Sequence, residues 1–158
     1  MDIPLIERVK IEAQVLVPLV KALQAELGEP RANAIVRQAL GDRYRKLGEQ
    51  WWRAQAGSNV GDKLAASFEA FAAGDALDYE VVRQTPDGLD VNVTGCRYAR
   101  FYHQLGAPEL GFLLVCSSDF PMTEGFGAGV QLTRTQTIMQ GADHCDFRYS
   151  RNQPDRET

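Results

Sequence analysis

The hydrophobic period of the chain changes near Tyr79, and this change restricts the fold more than any other feature of the sequence. Before it, apolar residues recur every three or four positions, which is typical of amphipathic helices. After it, apolar and polar residues alternate, which indicates strands with one buried face. We therefore predict an α+β fold in which N-terminal helices pack on an antiparallel sheet of roughly four strands with inserted short helices.

The first half of the chain predicts three helices. The first has an apolar stripe over residues 6–27 and should end at Gly28, although Pro18 within it predicts a kink or a break. The second should begin at Pro30 and end before Gly57-Ser58-Asn59. The apolar face of a shorter third helix consists of Leu64, Phe68, Phe71 and Ala72.

The second half predicts two hairpins separated by helices. Residues 79–84 and 89–93 alternate on either side of Pro86-Asp87-Gly88, which is a conventional turn sequence. Residues 97–105 and 108–117 have the pattern of short helices. The rest of the prediction is a loop from Phe120 to Gly129 and a second hairpin, with strands at 130–140 and 144–149 around Gly141-Ala142-Asp143.

Length and charge exclude several classes of protein. The 158 residues suit a single domain over residues 1–150, followed by a polar tail at 151–158 that we expect to be disordered. The net charge is −4 and the sequence shows no cluster of basic residues, so we expect no nucleic-acid partner. No apolar run approaches the roughly 20 residues that cross a bilayer, and no signal peptide is recognisable. The sequence leaves both a monomer and a homo-oligomer open.

The three cysteines are an odd number without regular spacing, which does not suit a disulfide framework. We therefore expect a reducing, cytoplasmic location, in which free thiols are either buried or part of a site. All three cysteines and both histidines lie between residues 96 and 145. This asymmetry places the predicted site in the second half of the chain.

Cys96 is the first candidate nucleophile. It follows a predicted strand and precedes a predicted helix, whose N-terminus would stabilise a thiolate. Arg100 and His103 follow at helical spacing and would supply a cation and an imidazole on the same side. The alternative is a buried strand-end cysteine with Arg100 and His103 in solvent.

Cys116 and Asp119 form a second candidate pair, because a carboxylate one turn from a thiol can hold a catalytic water or orient a base. The alternative is that Cys116 packs in the core and Asp119 only caps or turns the chain. Cys145 is the third candidate thiol. Its neighbour His144 should point to the opposite face of the strand and is therefore not its partner.

Arginines supply candidate clamps for an acidic substrate, since a guanidinium can hold a carboxylate through two parallel hydrogen bonds. Arg97, Arg100 and Arg134 are the available ones, and Arg134 is the one charge in a predicted strand segment rich in threonine. Three thiols and an imidazole would also suit zinc, but known zinc modules bring their ligands in close pairs. We expect no cofactor, with zinc as the alternative.

The ordered set of motifs resembles the L-2-amino-thiazoline-4-carboxylic acid hydrolase family over about residues 5–150. The N-terminal helices also look like those of that family. The motifs are Cys96-Arg97-Tyr98-Ala99-Arg100-Phe101-Tyr102, Leu105-Gly106-Ala107-Pro108-Glu109-Leu110-Gly111, Cys116-Ser117-Ser118-Asp119, Leu132-Thr133-Arg134-Thr135 and Gly141-Ala142-Asp143-His144-Cys145-Asp146-Phe147.

The resemblance implies hydrolysis of a cyclic isothiourea, in which a thiazoline ring opens to N-carbamoyl-L-cysteine. Attack on the amidine-like carbon would come from a cysteine beside a carboxylate or, alternatively, from water activated by Asp119. The candidate catalytic residues are Cys96, Cys116, Asp119, Cys145 and His103, and the candidate substrate-binding residues are Arg97, Tyr98, Arg100 and Arg134. A faint similarity to 4-vinyl-reductase domains supports the competing hypothesis of a non-catalytic, small-molecule or metal-binding sensory module.

Overall fold

The computed structural model describes residues 3–152 and has the predicted α+β architecture. Within this range, no helix is long and apolar enough to cross a membrane. Most of the predicted polar tail lies outside the described residues. In chain order, the elements are α1 (Leu5–Leu27), α2 (Glu29–Ala54), α3 (Val60–Phe71), β1 (Leu77–Thr85), β2 (Gly88–Cys96), α4 (Arg97–Gln104), α5 (Pro108–Leu114), α6 (Asp119–Phe126), β3 (Val130–Thr133) and β4 (Cys145–Arg151), with 3₁₀ turns at Cys116–Ser118 and Ile138–Gln140.

The four strands form one antiparallel sheet in the order β1-β2-β4-β3. The predicted first hairpin is confirmed, with Thr85 opposite Gly88 at its turn. The pairing of β2 with β4 places Val93 opposite Cys145. Because Cys96 ends β2 and Cys145 begins the antiparallel β4, both thiols lie at the same end of the sheet.

The buried apolar residues form two clusters that meet near the predicted site. One joins α1, α4 and α5, and the other joins α3 to the sheet. Leu77, Cys96 and Ile138 pack against both clusters. The seam between the two clusters therefore contains one of the candidate cysteines.

Of the kink or break predicted at Pro18, the break does not occur, because α1 continues from Leu5 to Leu27, and the kink stays a prediction. Proline removes one backbone hydrogen bond from a helix, which favours a break when nothing else holds the segment. Here Ala13 and Val20, each 2% exposed, anchor the helix to the core on both sides of Pro18. The packing of α1 against the core thus outweighs the loss of the backbone hydrogen bond at Pro18.

The predicted loop from Phe120 to Gly129 is also wrong, since α6 occupies most of it. The glycines mark a close helix crossing instead. A β-carbon on Gly125 would lie 2.1 Å from the carbonyl oxygen of Arg45 in α2, and one on Gly48 would lie 2.1 Å from that of Met122. Only glycine allows the two backbones to approach so closely.

The second hairpin forms, but its first strand is shorter than predicted. β3 ends at Thr133, and its pairing with β4 stops at Thr133 opposite Arg148. Beyond it, the backbone N–H groups of Thr135 and Gln136 donate to the carboxylate of Asp146, at 2.9 and 3.0 Å. A side chain thus replaces the ladder, and the chain leaves the sheet at Arg134.

Candidate active site

A buried ion pair lies at the centre of the candidate site. Asp119 begins α6 and Arg134 follows β3, and Arg134 Nη1 lies 2.6 Å from Asp119 Oδ2. Arg134 Nη2 also donates to the carbonyl oxygen of Cys116 at 3.2 Å. The Arg134 side chain is 3% exposed and that of Asp119 is 28% exposed. The carboxylate therefore keeps some contact with solvent, whereas the guanidinium has almost none.

Two phenylalanine rings hold the Arg134 guanidinium. Its central carbon lies 5.1 Å from the ring centroid of Phe120 and 5.3 Å from that of Phe147. These distances are typical of cation–π contacts, which stabilise a desolvated guanidinium. With both terminal nitrogens bound to protein atoms, Arg134 orients Asp119 in this structure.

Burial sets the protonation behaviour of Asp119. Loss of hydration disfavours the carboxylate, and this effect outweighs the charge and hydrogen bond of Arg134, so that the pKa of Asp119 rises to about 6. A carboxyl group with such a pKa exchanges protons near neutrality. This is the property that general acid–base catalysis requires.

The three thiols are free, and burial raises the pKa of each. The pKa of Cys96 rises to about 11, and that of Cys116 lies well above its usual value. Two of the sulfur atoms accept backbone hydrogen bonds, Cys96 Sγ from Ala99 N at 3.4 Å and Cys145 Sγ from Ile138 N at 3.2 Å. All three cysteines are therefore protonated at neutral pH.

Asp119, Arg134 and the three candidate cysteines come from distant parts of the sequence and interact electrostatically. The charge of Asp119 raises the pKa of Cys96, Cys116 and Cys145, so all three thiols lie within its electrostatic reach. Arg134 has the opposite effect on Cys116 and Cys145. Between residues 3 and 152, no three His, Cys, Asp or Glu side chains are arranged to hold a metal ion.

His103 and Tyr98 make contacts that belong to the packing of α4. The exposed His103 places Nε2 3.1 Å from the carbonyl oxygen of Met139. Tyr98 is buried, and its hydroxyl donates to the carbonyl oxygen of Phe71 at 3.1 Å. Neither contact involves Asp119 or Arg134.

The other candidates on α4 lie nearer the surface. Arg100 is exposed and Arg97 is half-buried, and neither forms an ion pair within residues 3–152.

His144 precedes β4, and its ring contacts Asp143 and Gln136. These contacts direct His144 to the loops around it.

Asp146 is a site residue that sequence reasoning missed. Besides the two backbone N–H groups, its carboxylate accepts a hydrogen bond from the hydroxyl of Thr135 at 2.5 Å. Burial opposes ionisation here, but the hydrogen bonds from Thr135 and Gln136 prevail and hold the pKa of Asp146 below its usual value. Asp146 thereby fixes the segment directly after Arg134, a contact that no spacing in the sequence indicates.

Tyr44 is a second residue that the sequence did not reveal. It lies on α2 and interacts with Ser118 and Asp119. Burial raises the pKa of Tyr44, so its phenol remains protonated at neutral pH. The helical spacing of apolar residues around Tyr44 places it only on a helix face, because the segment that it contacts is more than 70 residues away in the sequence.

Comparison with known proteins identifies the family. The model of the L-2-amino-thiazoline-4-carboxylic acid hydrolase family matches residues 8–149, which include every candidate site residue. No curated protein matched the chain. The family match supports a hydrolase-type function. With most of its length matched, the chain belongs to the L-2-amino-thiazoline-4-carboxylic acid hydrolase family.

Proposed function

We propose that the protein hydrolyses the ring carbon–sulfur bond of a 2-amino-thiazoline-4-carboxylate type substrate and that Asp119 activates the attacking water. The observation that carries this proposal is the state of Asp119. It is a partly exposed carboxylate held by a buried arginine, with its pKa raised to about 6. Such a group is ionised at neutral pH, yet basic enough to take a proton.

The reaction balances with water as the only co-reactant. Asp119 takes a proton from water while the oxygen bonds to the amidine-like carbon. The resulting tetrahedral intermediate breaks its carbon–sulfur bond, the proton taken by Asp119 passes to the leaving sulfur, and the hydroxyl proton passes to the former ring nitrogen as the carbonyl forms. The product is an N-carbamoyl amino acid with a free thiol. The role of Arg134 is to hold Asp119 in position, since orientation of a base contributes to its efficiency.

The protonation of the thiols favours water over a cysteine as the nucleophile. A thiolate is the reactive form of cysteine, and burial disfavours it at all three positions. Cys96 and Cys145 also direct their sulfur atoms to backbone N–H groups. In this proposal, the cysteines shape the apolar seam beside Asp119.

The substrate carboxylate would bind to arginines of α4. The Arg134 side chain is 3% exposed, and it already donates to Asp119 and to the carbonyl of Cys116, so it offers almost no surface to a substrate carboxylate. Arg97 and Arg100 carry no ion pair in the described chain and are therefore the proposed carboxylate ligands.

The experiment compares Asp119→Asn with wild type, and with Asp143→Asn as an exposed aspartate control. Release of free thiol from the thiazoline carboxylate and the mass of the product measure hydrolysis. We expect Asp119→Asn to lose hydrolysis by a factor of about 100 or more, because the base is removed. Asp143→Asn should keep it. In wild type, kcat/KM should fall as the pH drops through about 6, because Asp119 becomes protonated.

The single variants Cys96→Ser, Cys116→Ser and Cys145→Ser separate the two mechanisms. We expect each to retain hydrolysis. If one of them loses hydrolysis while Asp119→Asn keeps it, cysteine attack replaces the proposed mechanism. If wild type binds the thiazoline carboxylate without any turnover, the competing binding-module hypothesis holds.

A further inference from the structure

Helix α1 carries a second apolar stripe on the side that faces away from the core. Its inner face packs into the protein through Ile6, Val9, Ala13 and Val20. The outer stripe is exposed and consists of Ile11, Val15, Pro18 and Ala22, with Leu19 beside it. Its four members follow one another at spacings of four, three and four residues, which is the period of a single helix face. The structure thus gives α1 a packing partner on one of its two apolar faces.

The outer stripe is large for an exposed surface. Val15 is 67% exposed, Ile11 59% and Leu19 52%. Together with the exposed Pro18 and Ala22, these side chains form an apolar patch on the order of 300 Å², the size at which patches on soluble proteins mark interaction sites. Single exposed apolar residues are ordinary, but a continuous row of them along about three helical turns is not.

The spacing of the stripe favours a second copy of this chain as its partner. The order four, three, four is the same in both directions along the helix. A two-fold axis through the middle of the stripe therefore places Ile11 of one copy opposite Ala22 of the other, and Val15 opposite Pro18. The branched side chain of Ile11 then meets a small residue at each end, which allows the two helices to approach closely.

Charges at the two ends of the stripe fit the same arrangement. Arg8 and Glu26 are exposed and lie 26 − 8 = 18 positions apart, which is five helical turns, so both lie on one line along α1. Antiparallel packing brings Arg8 of each copy to Glu26 of the other, whereas parallel packing sets like charges against each other. The contact of Arg8 with Glu12 within the helix is long, at 3.9 Å. Lys21 is also exposed but points about a quarter of a turn away from the stripe.

We propose that the outer face of α1 is the interface of a two-fold symmetric homodimer, in which α1 packs antiparallel against α1 of a second copy. The inference is independent of the proposed function of Asp119. The apolar centre of the interface is Val15 with Leu19 at its border, and the Arg8–Glu26 pairs close its two ends. Because the patch is smaller than the roughly 800 Å² per partner of a standard interface, we expect a dimer that dissociates in the micromolar range.

Val15→Glu tests this interface in the full-length protein. The matched control is Val82→Glu, which introduces the same charge at a valine that is 53% exposed on β1. Sedimentation velocity over a series of concentrations measures the dissociation constant of the dimer. We expect Val15→Glu to weaken the dimer at least about 100-fold, because each copy would bury an unpaired carboxylate at the centre of the interface. The control should leave the dissociation constant unchanged. Glutamate is a good helix former, and thermal unfolding verifies that both variants fold.

A charge exchange tests the antiparallel direction. Arg8→Glu sets two carboxylates together at both ends of the dimer, and we expect it to raise the dissociation constant about tenfold. The double variant Arg8→Glu/Glu26→Arg should restore the wild-type value, because each pair is then formed again with its charges reversed. In a parallel dimer, Arg8→Glu would only replace one like-charged pair with another and would leave the dissociation constant unchanged.

A wild-type protein that stays monomeric at every concentration overturns the proposal, even if the outer face of α1 binds lipid vesicles. A dimer that Val15→Glu leaves intact also overturns it, because the interface then lies elsewhere. An Arg8→Glu variant that dimerises like wild type contradicts the antiparallel packing. Because no readout uses hydrolysis, failure of the mechanism proposed for Asp119 leaves these outcomes unaffected.

Discussion

Asp119 and Asp146 belong to two regions that both bind the chain at Arg134, and each is followed in sequence by a phenylalanine that packs on the Arg134 guanidinium. Asp119 binds the Arg134 side chain, whereas Asp146 binds the backbone immediately after it. The pKa of Asp119 is raised and that of Asp146 is lowered. Two Asp-Phe pairs around one arginine thus have opposite electrostatic behaviour.

The difference shows how the surroundings of an aspartate set the direction of its pKa shift and therefore its role. At Asp119, the loss of hydration exceeds what a single arginine returns. At Asp146, desolvation is outweighed by hydrogen bonds from two N–H groups and one hydroxyl. The first carboxylate is suited to exchange a proton, and the second to hold the loop that carries Arg134.

Removing the shared arginine should have the largest effect on stability. Arg134→Leu leaves Asp119 without its cation, and we expect a loss of about 3 kcal/mol in the free energy of unfolding at pH 7. Urea denaturation measures it. The control Arg53→Leu removes an exposed pair with Glu49 and should cost about 0.5 kcal/mol. Equal losses in the two variants would mean that burial of the Arg134 pair has no energetic consequence.

Asp146→Ala should cost about 2 kcal/mol, because it leaves three donors of the loop without their acceptor. The pH dependence should identify the cause. With its folded pKa lowered, Asp146 stabilises the protein above its unfolded pKa, and this contribution is lost as pH falls through the folded pKa. Asp119 behaves oppositely, since its contribution is present at low pH and is lost as pH rises through about 6. Parallel pH curves for Asp146→Ala and Asp119→Asn would contradict the comparison.

Substitutions of the two phenylalanines should have the smallest effects on the free energy of unfolding. Phe147 also packs its ring against Phe68, with centroids 5.2 Å apart, so Phe147→Leu should cost about 1 kcal/mol. Phe120→Leu should stay within about 0.5 kcal/mol, because that ring is partly exposed. Thermal unfolding of both variants measures the difference. A larger loss for Phe120→Leu would show that this partly exposed ring contributes more to stability than the ring of Phe147.

Much of the fold was predictable because it follows local periodicity. The helical stripe of α1 and the alternation of β1 and β2 each specify an element without reference to the rest of the chain. The prediction failed where glycine and proline were interpreted locally. Gly125 indicated a loop, but its backbone lies against Arg45 in a helix crossing that only the folded chain contains.

The sequence by itself determined the α+β class and the family. Tertiary structure alone decided that Arg134 binds Asp119, that Asp146 fixes the segment directly after Arg134, and that Phe120 and Phe147 both pack on the Arg134 guanidinium. The physical reason is distance. Periodicity reports on neighbours within a few residues, whereas desolvation and hydrogen bonding depend on partners that only the folded chain brings together.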